Sequence, residues 1–192
     1  MDGGQDFIYN GDIDSWTRFA NSLKLQILML IVNQDASVAP QIADLVQNQP
    51  LVDEAQYNAI LPFGSDITNA NQLWKLHNQF AGGTSAFYNG TTTIIDFLDG
   101  DDGDGDNDPR LATYFDEGTT AADDEYRGVE PGAIDNLAIY ANLSLNVIRE
   151  EEGDRWTMAD HINLLKAEAV QRGFASGDAT ALYRLGVQQS MD

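Results

Sequence analysis

The chain has 192 residues, 31 acidic groups against 10 basic ones, no cysteine, and 43% apolar residues. That length and apolar share suit one domain with a real core and exclude wholesale disorder. A formal charge of −21 with scattered lysines and arginines argues against a nucleic-acid partner, and the missing thiols exclude disulfides, cysteine nucleophiles, zinc ribbons and iron–sulfur clusters.

The first strong element is a helix from about Asp14 to Val32. Asp14 is placed to cap it, and Trp16, Phe19, Ala20, Leu23, Ile27, Leu30 and Ile31 recur at helical spacing. Leu25, Leu28 and Met29 add apolar groups on the other faces, which predicts a helix with neighbours on several sides. The longest apolar run, Leu23 to Val32, falls short of the roughly 20 residues a membrane-spanning helix needs. The start, Met1-Asp2-Gly3-Gly4, lacks the charged-then-apolar order of an export signal.

A shorter helix follows at about Pro40 to Gln47, with Pro40 in its first turn and Ile42, Leu45 and Val46 as its stripe. From Gln49 to Gly90 the pattern is irregular and rich in asparagine and glutamine. Short helices are expected near Asn69 to Leu76 and Thr92 to Leu98. An aspartate–glycine run, Asp99 to Asp108, ends at Pro109, and a second irregular stretch passes through Tyr126-Arg127-Gly128.

Two helices close the chain. One runs from about Thr157 to Arg172 with Met158, Ile162, Leu165 and Ala169 on its stripe, and stops at Gly173. The other runs from the cap Asp178 to Met191, with Ala179, Leu182, Tyr183, Gly186, Val187 and Ser190 on its face. The small residues Ala179 and Gly186 let a partner helix come close. Together the two make a hairpin the size of one tetratricopeptide unit, which cannot cover its own apolar face.

Several segments resemble the SusD/RagB family of outer-membrane nutrient-binding lipoproteins. Asp6-Phe7-Ile8-Tyr9-Asn10-Gly11-Asp12 and Trp16 to Leu25 resemble its "D-x-x-Y-x-G-D … W-x-x-F-A-N-S-L-x-L-R" signature. Asp108-Pro109-Arg110-Leu111 with Tyr114-Phe115 resembles "D-P-R-L-x-x-Y-F", and Tyr126-Arg127-Gly128-Val129 with Gly132 resembles a "Y-x-G … G" turn. Thr157-Met158-Ala159-Asp160, Ala167-Glu168-Ala169 and Arg172-Gly173 resemble the helix that follows, and Gly177-Asp178-Ala179 through Ser190-Met191 the last one. Departures are Gln26 for arginine, Met158 for tyrosine and Asp160-His161 for glutamate and an apolar neighbour.

The resemblance implies a mainly α, SusD-like fold: tetratricopeptide-type helix packing with long irregular loops, read here as a single domain over residues 1–192. Family members are commonly more than twice as long. The family's lipidated cysteine, earlier helical repeats and final segment have no counterpart in these 192 residues, so the chain is expected to be a portion of a longer member or a shortened relative. The implied function is non-catalytic binding of an oligosaccharide or other nutrient at the cell surface of the outer membrane. The implied partner is a SusC-like TonB-dependent transporter, with the membrane reached only through a lipid anchor. The rival reading is a helical-repeat protein–protein interaction module without glycan binding.

Sugar binding needs rings that stack on pyranose C–H groups and amides that bond hydroxyls. The irregular middle offers Trp74 and Tyr88 as platforms and Asn71 and Asn78 as partners; alternatively Trp74, with Leu73 and Leu76, anchors a loop to the core. Asp99, Asp101, Asp102, Asp104 and Asp106, interleaved with glycines, have the ligand chemistry for Ca²⁺. The EF-hand pattern fails, however: counted from Asp102, the sixth position is Asn107 and the twelfth Thr113. A solvated acidic loop is the other reading, and no cofactor is required.

Trp16 and Trp156 read as core residues, Arg110 as a tie between loops, and Glu168 as paired or solvent-facing. The spacing of His77 and His161 suggests no metal site. With no G-x-S-x-G, P-loop, dinucleotide fingerprint or H-E-x-x-H, the chain is not expected to be an enzyme.

Overall fold

The structure is a computed structural model that describes residues 3–81, 88–100, 108–118, 126–133 and 137–191. Regular structure among them is mainly helical: α1 (Ile13–Ile31), α2 (Ala39–Asn48), α3 (Gln72–Ala81), α4 (Thr92–Asp99), the single turn α5 (Leu111–Tyr114), α6 (Ala159–Gln171) and α7 (Ala179–Met191). Four short strands join them: β1 (Ala59–Leu61), β2 (Phe115–Asp116), β3 (Asn142–Leu143) and β4 (Asp154–Thr157). No helix of the described residues is long and apolar enough to cross a membrane. The chain forms two compact units, one from Met1–Pro62 with Gly153–Asp192 and one from Phe63–Glu152.

The first unit starts from a tight turn. Asp6 accepts hydrogen bonds from the N–H groups of Ile8 and Tyr9 at 3.1 Å and of Gly11 at 2.8 Å, and from the Trp16 indole at 2.7 Å. Asn10 and Gly11 take left-handed backbone, with φ of 52° and 83°. The Tyr9 hydroxyl donates to the Tyr57 carbonyl at 2.8 Å. Asp12, not Asp14, caps α1: its carboxylate accepts from the Asp14 N–H at 3.1 Å and the Ser15 hydroxyl at 2.6 Å. Asp14 pairs instead with Arg18 one turn on, at 3.1 Å.

The core of this unit brings Leu25, Leu28, Met29 and Val32 of the α1 region against Ile42 and Leu45 of α2, Leu51, Val52, and Ile162 and Ala169 of α6. The stripe read from the sequence is not the buried one. Ile27 and Leu30 are 50% and 78% exposed, and Leu23 and Ile31 are also exposed, whereas Trp16 and Phe19 of the same stripe are half-buried. The buried face contains Ser15 and Ser22, and the Ser22 hydroxyl accepts the Val52 N–H at 2.8 Å. Helix α2 keeps Pro40 in its first turn as expected, behind a short 3-10 turn at Ala36–Val38.

Strands β1 and β4 pair antiparallel, with Ala59 opposite Thr157 and Leu61 opposite Asp154. Thr157 is buried, and Trp156 beside it is 50% exposed. The core role expected for Trp156 therefore fails: Asp154, Arg155 and Trp156 of β4 are all exposed, and only Thr157 turns into the core. Its ring tilts against Phe19 at 6.4 Å and its indole N–H donates to Asp154 at 3.1 Å.

Helix α6 ends at Gly173, φ 76°, where the Phe174 N–H reaches the Ala169 carbonyl at 2.9 Å. Asp178 caps α7 through the Ala181 N–H at 3.0 Å. The close approach expected at Gly186 is present, since a Cβ there would lie 2.9 Å from Leu164 Cγ and 3.0 Å from the Asp160 carbonyl oxygen of α6. Tyr183, expected on the same face, is exposed.

In the second unit, Ile95 and Leu98 of α4 pack with Leu111, Phe115 and Ala141, with Tyr126 and Leu143 against them. β2 and β3 pair antiparallel, Phe115 opposite Leu143. The backbone of Gly90 bonds to both Ala141 and Val129 at 2.9 Å, which ties the start of α4 to the segments on either side.

Candidate functional site

The residues expected to meet a ligand lie in the second unit, just before, on and after α3. Asn71 fixes where that helix starts. Its Oδ1 accepts from the N–H groups of Leu73 at 2.8 Å and Trp74 at 3.2 Å, satisfying two amides of the first turn. Its Nδ2 donates to the Glu152 carbonyl at 2.8 Å, and its backbone N–H donates to Glu150 at 2.9 Å. Both ends of the Asn71 amide thus serve the fold, and the consequence for a ligand is indirect: a helix start held in place.

Trp74 stands in that first turn and is half-buried, so its ring neither disappears into the core nor projects freely. His77, three residues on and therefore on the same side of α3, is buried, and its Nδ1 has no hydrogen-bond partner among the described residues. Tyr88, also half-buried, lies nearly parallel to His77, with ring centroids 6.4 Å apart and planes 10° apart. Three rings thus belong to one stretch of the unit. Trp74 and Tyr88 are the two rings singled out from the sequence; His77 stands three residues from Trp74. Asn78 lies on α3, and its side chain falls outside the described residues.

Of the aspartate run, Asp101, Asp102, Asp104 and Asp106 fall outside the described residues. Asp99 is the last residue of α4, before Gly100 at φ 78°. Among the described residues no three His, Asp or Glu side chains are grouped so as to hold a metal ion. Asp108, at the end of the run, accepts from the Arg110 Nε at 3.0 Å and the Arg110 backbone N–H at 2.9 Å. These bonds to the guanidinium and backbone hold its carboxyl down at about 2. Among the described residues, Arg110 closes a two-residue turn on Asp108 and also interacts with Tyr114 of α5. Glu168 pairs with Arg172 at 2.8 Å.

The first unit offers a different kind of hollow. A groove of about 540 Å³ runs along α6 and α7, walled by Leu164, Ala167, Ala179 and Tyr183, with Glu168, Gln171 and Thr180 as its polar members. Its walls suit apolar contact more than the orientation of hydroxyl groups.

Residues 1–192 match the SusD-like family described as "Starch-binding associating with outer membrane". A comparison with curated protein sequences finds no match. Among solved structures, a SusD homolog from Parabacteroides distasonis superposes with a TM-score of 0.70 at 19% identity, over 98% of this chain and 42% of its own. A SusD homolog from Bacteroides fragilis gives 0.68 at 24% identity, over 96% and 42%. A chitin-binding protein gives 0.64 at 24%, over 97% and 42%. At those identities the likeness is one of fold. The chain spans about two fifths of the length of these structures.

Proposed function

The chain belongs to the SusD-like family, and on that footing we propose that it captures an oligosaccharide at the outer-membrane surface and leaves it chemically unchanged. The observation that carries the reading is the match of the whole chain to a family described as starch-binding. Trp74, half-buried on a helix whose start is fixed by Asn71, and Tyr88, half-buried in the chain beyond that helix, supply the stacking faces in this reading. A ring held by its own packing loses little freedom when a sugar stacks on it, so the contact is cheap in entropy. The captured glycan is then passed to a SusC-like TonB-dependent transporter, for which capture raises the local concentration beside the channel.

Affinity electrophoresis tests this directly. The chain is run through gels containing starch, glycol chitin or other soluble polysaccharides, with and without the Trp74→Ala substitution. At least one polysaccharide is expected to retard the wild-type chain, and Trp74→Ala is expected to weaken that retardation about tenfold or more, the scale of a central aromatic contact. Retardation by none, together with capture by a SusC-like transporter, transfers the case to a protein-interaction module.

A further inference from the structure

The second unit contains a polar cavity of about 210 Å³ that the aromatic surface of α3 does not use. One wall is a single face of α4, where Thr92, Asp96 and Asp99 follow at helical spacing. Tyr126, Arg127, Gly128 and Glu130 from one segment and Tyr140 from another complete the lining. Tyr140 is 7% exposed, with the Arg127 guanidinium 5.3 Å over its ring.

Backbone hydrogen bonds fix these walls. The Thr92 N–H donates to Val129 at 3.0 Å, the Val129 N–H to Gly90 at 2.9 Å, and the Ala141 N–H to Arg127 at 2.8 Å. Gly128 lies so close to α4 that a Cβ would meet Thr92 Cα at 2.5 Å, so the two walls touch at backbone level. A cavity framed in this way exists before any ligand arrives, which lowers the ordering cost of binding.

We propose that this cavity is a subsite for one non-anionic pyranose unit. The proposal rests on the reading that the chain binds glycans, and adds a place and a charge rule to it. The volume lies below the roughly 300–1,000 Å³ of pockets for drug-sized ligands and accommodates a single six-membered sugar ring. The lining alternates acceptor-only carboxylates with the donor-only guanidinium of Arg127 and with the hydroxyls of Thr92 and the tyrosines. Adjacent sugar hydroxyls need that mixture, because each both donates and accepts. Asp96, Arg127 and Glu130 are exposed at the cavity and meet the ligand; Asp99, Tyr126 and Tyr140 also have partners within the protein, which hold them in position. Three carboxylates stand here against one guanidinium, so a uronate, sulfate or phosphate ester is repelled, whereas a neutral or amine-bearing sugar is accepted.

The test uses the full 192-residue chain, ¹⁵N-labelled, titrated with glucose, galactose, mannose, N-acetylglucosamine, glucosamine and glucuronate. The amides of Thr92, Gly128 and Val129 are expected to shift saturably with at least one uncharged or amino sugar. Glucuronate is expected to bind roughly tenfold more weakly or not at all. Asp96→Ala and, separately, Glu130→Gln should weaken these shifts while leaving the remaining spectrum, and retardation through Trp74, in place. Silent cavity amides at tens of millimolar sugar, or glucuronate binding as tightly as glucose, overturn the proposal. Shifts confined to Trp74 with a silent cavity overturn it while leaving glycan capture standing. Polysaccharide retardation failing while the cavity amides respond removes the Trp74 surface and leaves the subsite. Silence everywhere removes both.

Discussion

Asp6 concentrates more structure on one carboxylate than any other residue described above. The indole N–H of Trp16 is the largest cause of its lowered pKa, and the N–H groups of Gly11, Tyr9 and Ile8 add to it against partial desolvation, bringing it from 3.8 to about 2. A carboxyl whose pKa falls on folding stabilises the native state fully above its unfolded pKa, and that contribution fades as pH drops toward the folded value. Asp6→Asn is therefore expected to lower Tm by a constant amount above about pH 5, with the gap to wild type closing between about pH 4 and pH 2. Thermal melts of the two proteins across that range check it; a gap that persists at pH 2 contradicts it. The motif around Asp6 was legible in the sequence as a pattern, but its physics was not. Nothing in the spacing says that one oxygen pair would receive a side chain ten residues away. Nor does it say that Asp12 rather than Asp14 would cap α1, since two aspartates two residues apart fit the same rule. For the candidate site the same limit applies to Asn71. Its composition fitted a hydroxyl partner, and its position one residue before α3 makes it a cap.

Along elements, periodicity placed the long helices to within a residue or two and chose the wrong face of α1. That helix carries apolar residues on both sides, so its spacing alone does not say which side meets α2 and α6. The buried side also includes Ser15 and Ser22, which weakens its apolar signal, whereas the exposed side carries the more continuous stripe. The two faces make opposite predictions. Leu25, fully buried among Ile42, Leu51 and Ile162, is expected to cost about 2–5 kcal/mol when cut to alanine. Leu30, 78% exposed, is expected to change stability by no more than about 0.5 kcal/mol. Urea denaturation of Leu25→Ala and Leu30→Ala measures both, and equal losses would mean that α1 is covered on both faces. In the second unit the analogous contrast involves backbone. Gly128→Ala is expected to destabilise by about 1–3 kcal/mol, because the new methyl meets the Thr92 main chain and no side chain there can swing away. Gly4→Ala, with open space around it, serves as the control. The Tyr126-Arg127-Gly128 pattern was visible in the sequence; that its glycine permits contact between two backbones was not, because the partner lies thirty-six residues earlier.

For the whole molecule, the chain forms two compact units, the first assembled from both ends of the sequence. Composition does not reveal such an arrangement, because no linker-like stretch marks Pro62 or Gly153. What composition does govern is charge. If each of the ten basic groups took one carboxylate, twenty-one acidic groups would still have no cation to face. Their mutual repulsion opposes the folded state, where they are held closer together than in the unfolded chain. Screening acts over about 30 Å at 0.01 M salt and about 8 Å at 0.15 M, so most of this repulsion is removed within that range. Tm is accordingly expected to rise with NaCl, steeply up to about 0.15 M and little beyond it. A flat profile would place the acidic groups too far apart to matter. The same experiment separates diffuse screening from a specific cation. KCl should reproduce the NaCl curve, since only ionic strength enters. CaCl₂ at matched ionic strength should lie somewhat above it without saturating if divalent ions act only as a denser atmosphere. An excess rise that saturates near one equivalent, and that disappears in an Asp102→Asn, Asp104→Asn double variant, assigns Ca²⁺ to the aspartate–glycine run instead.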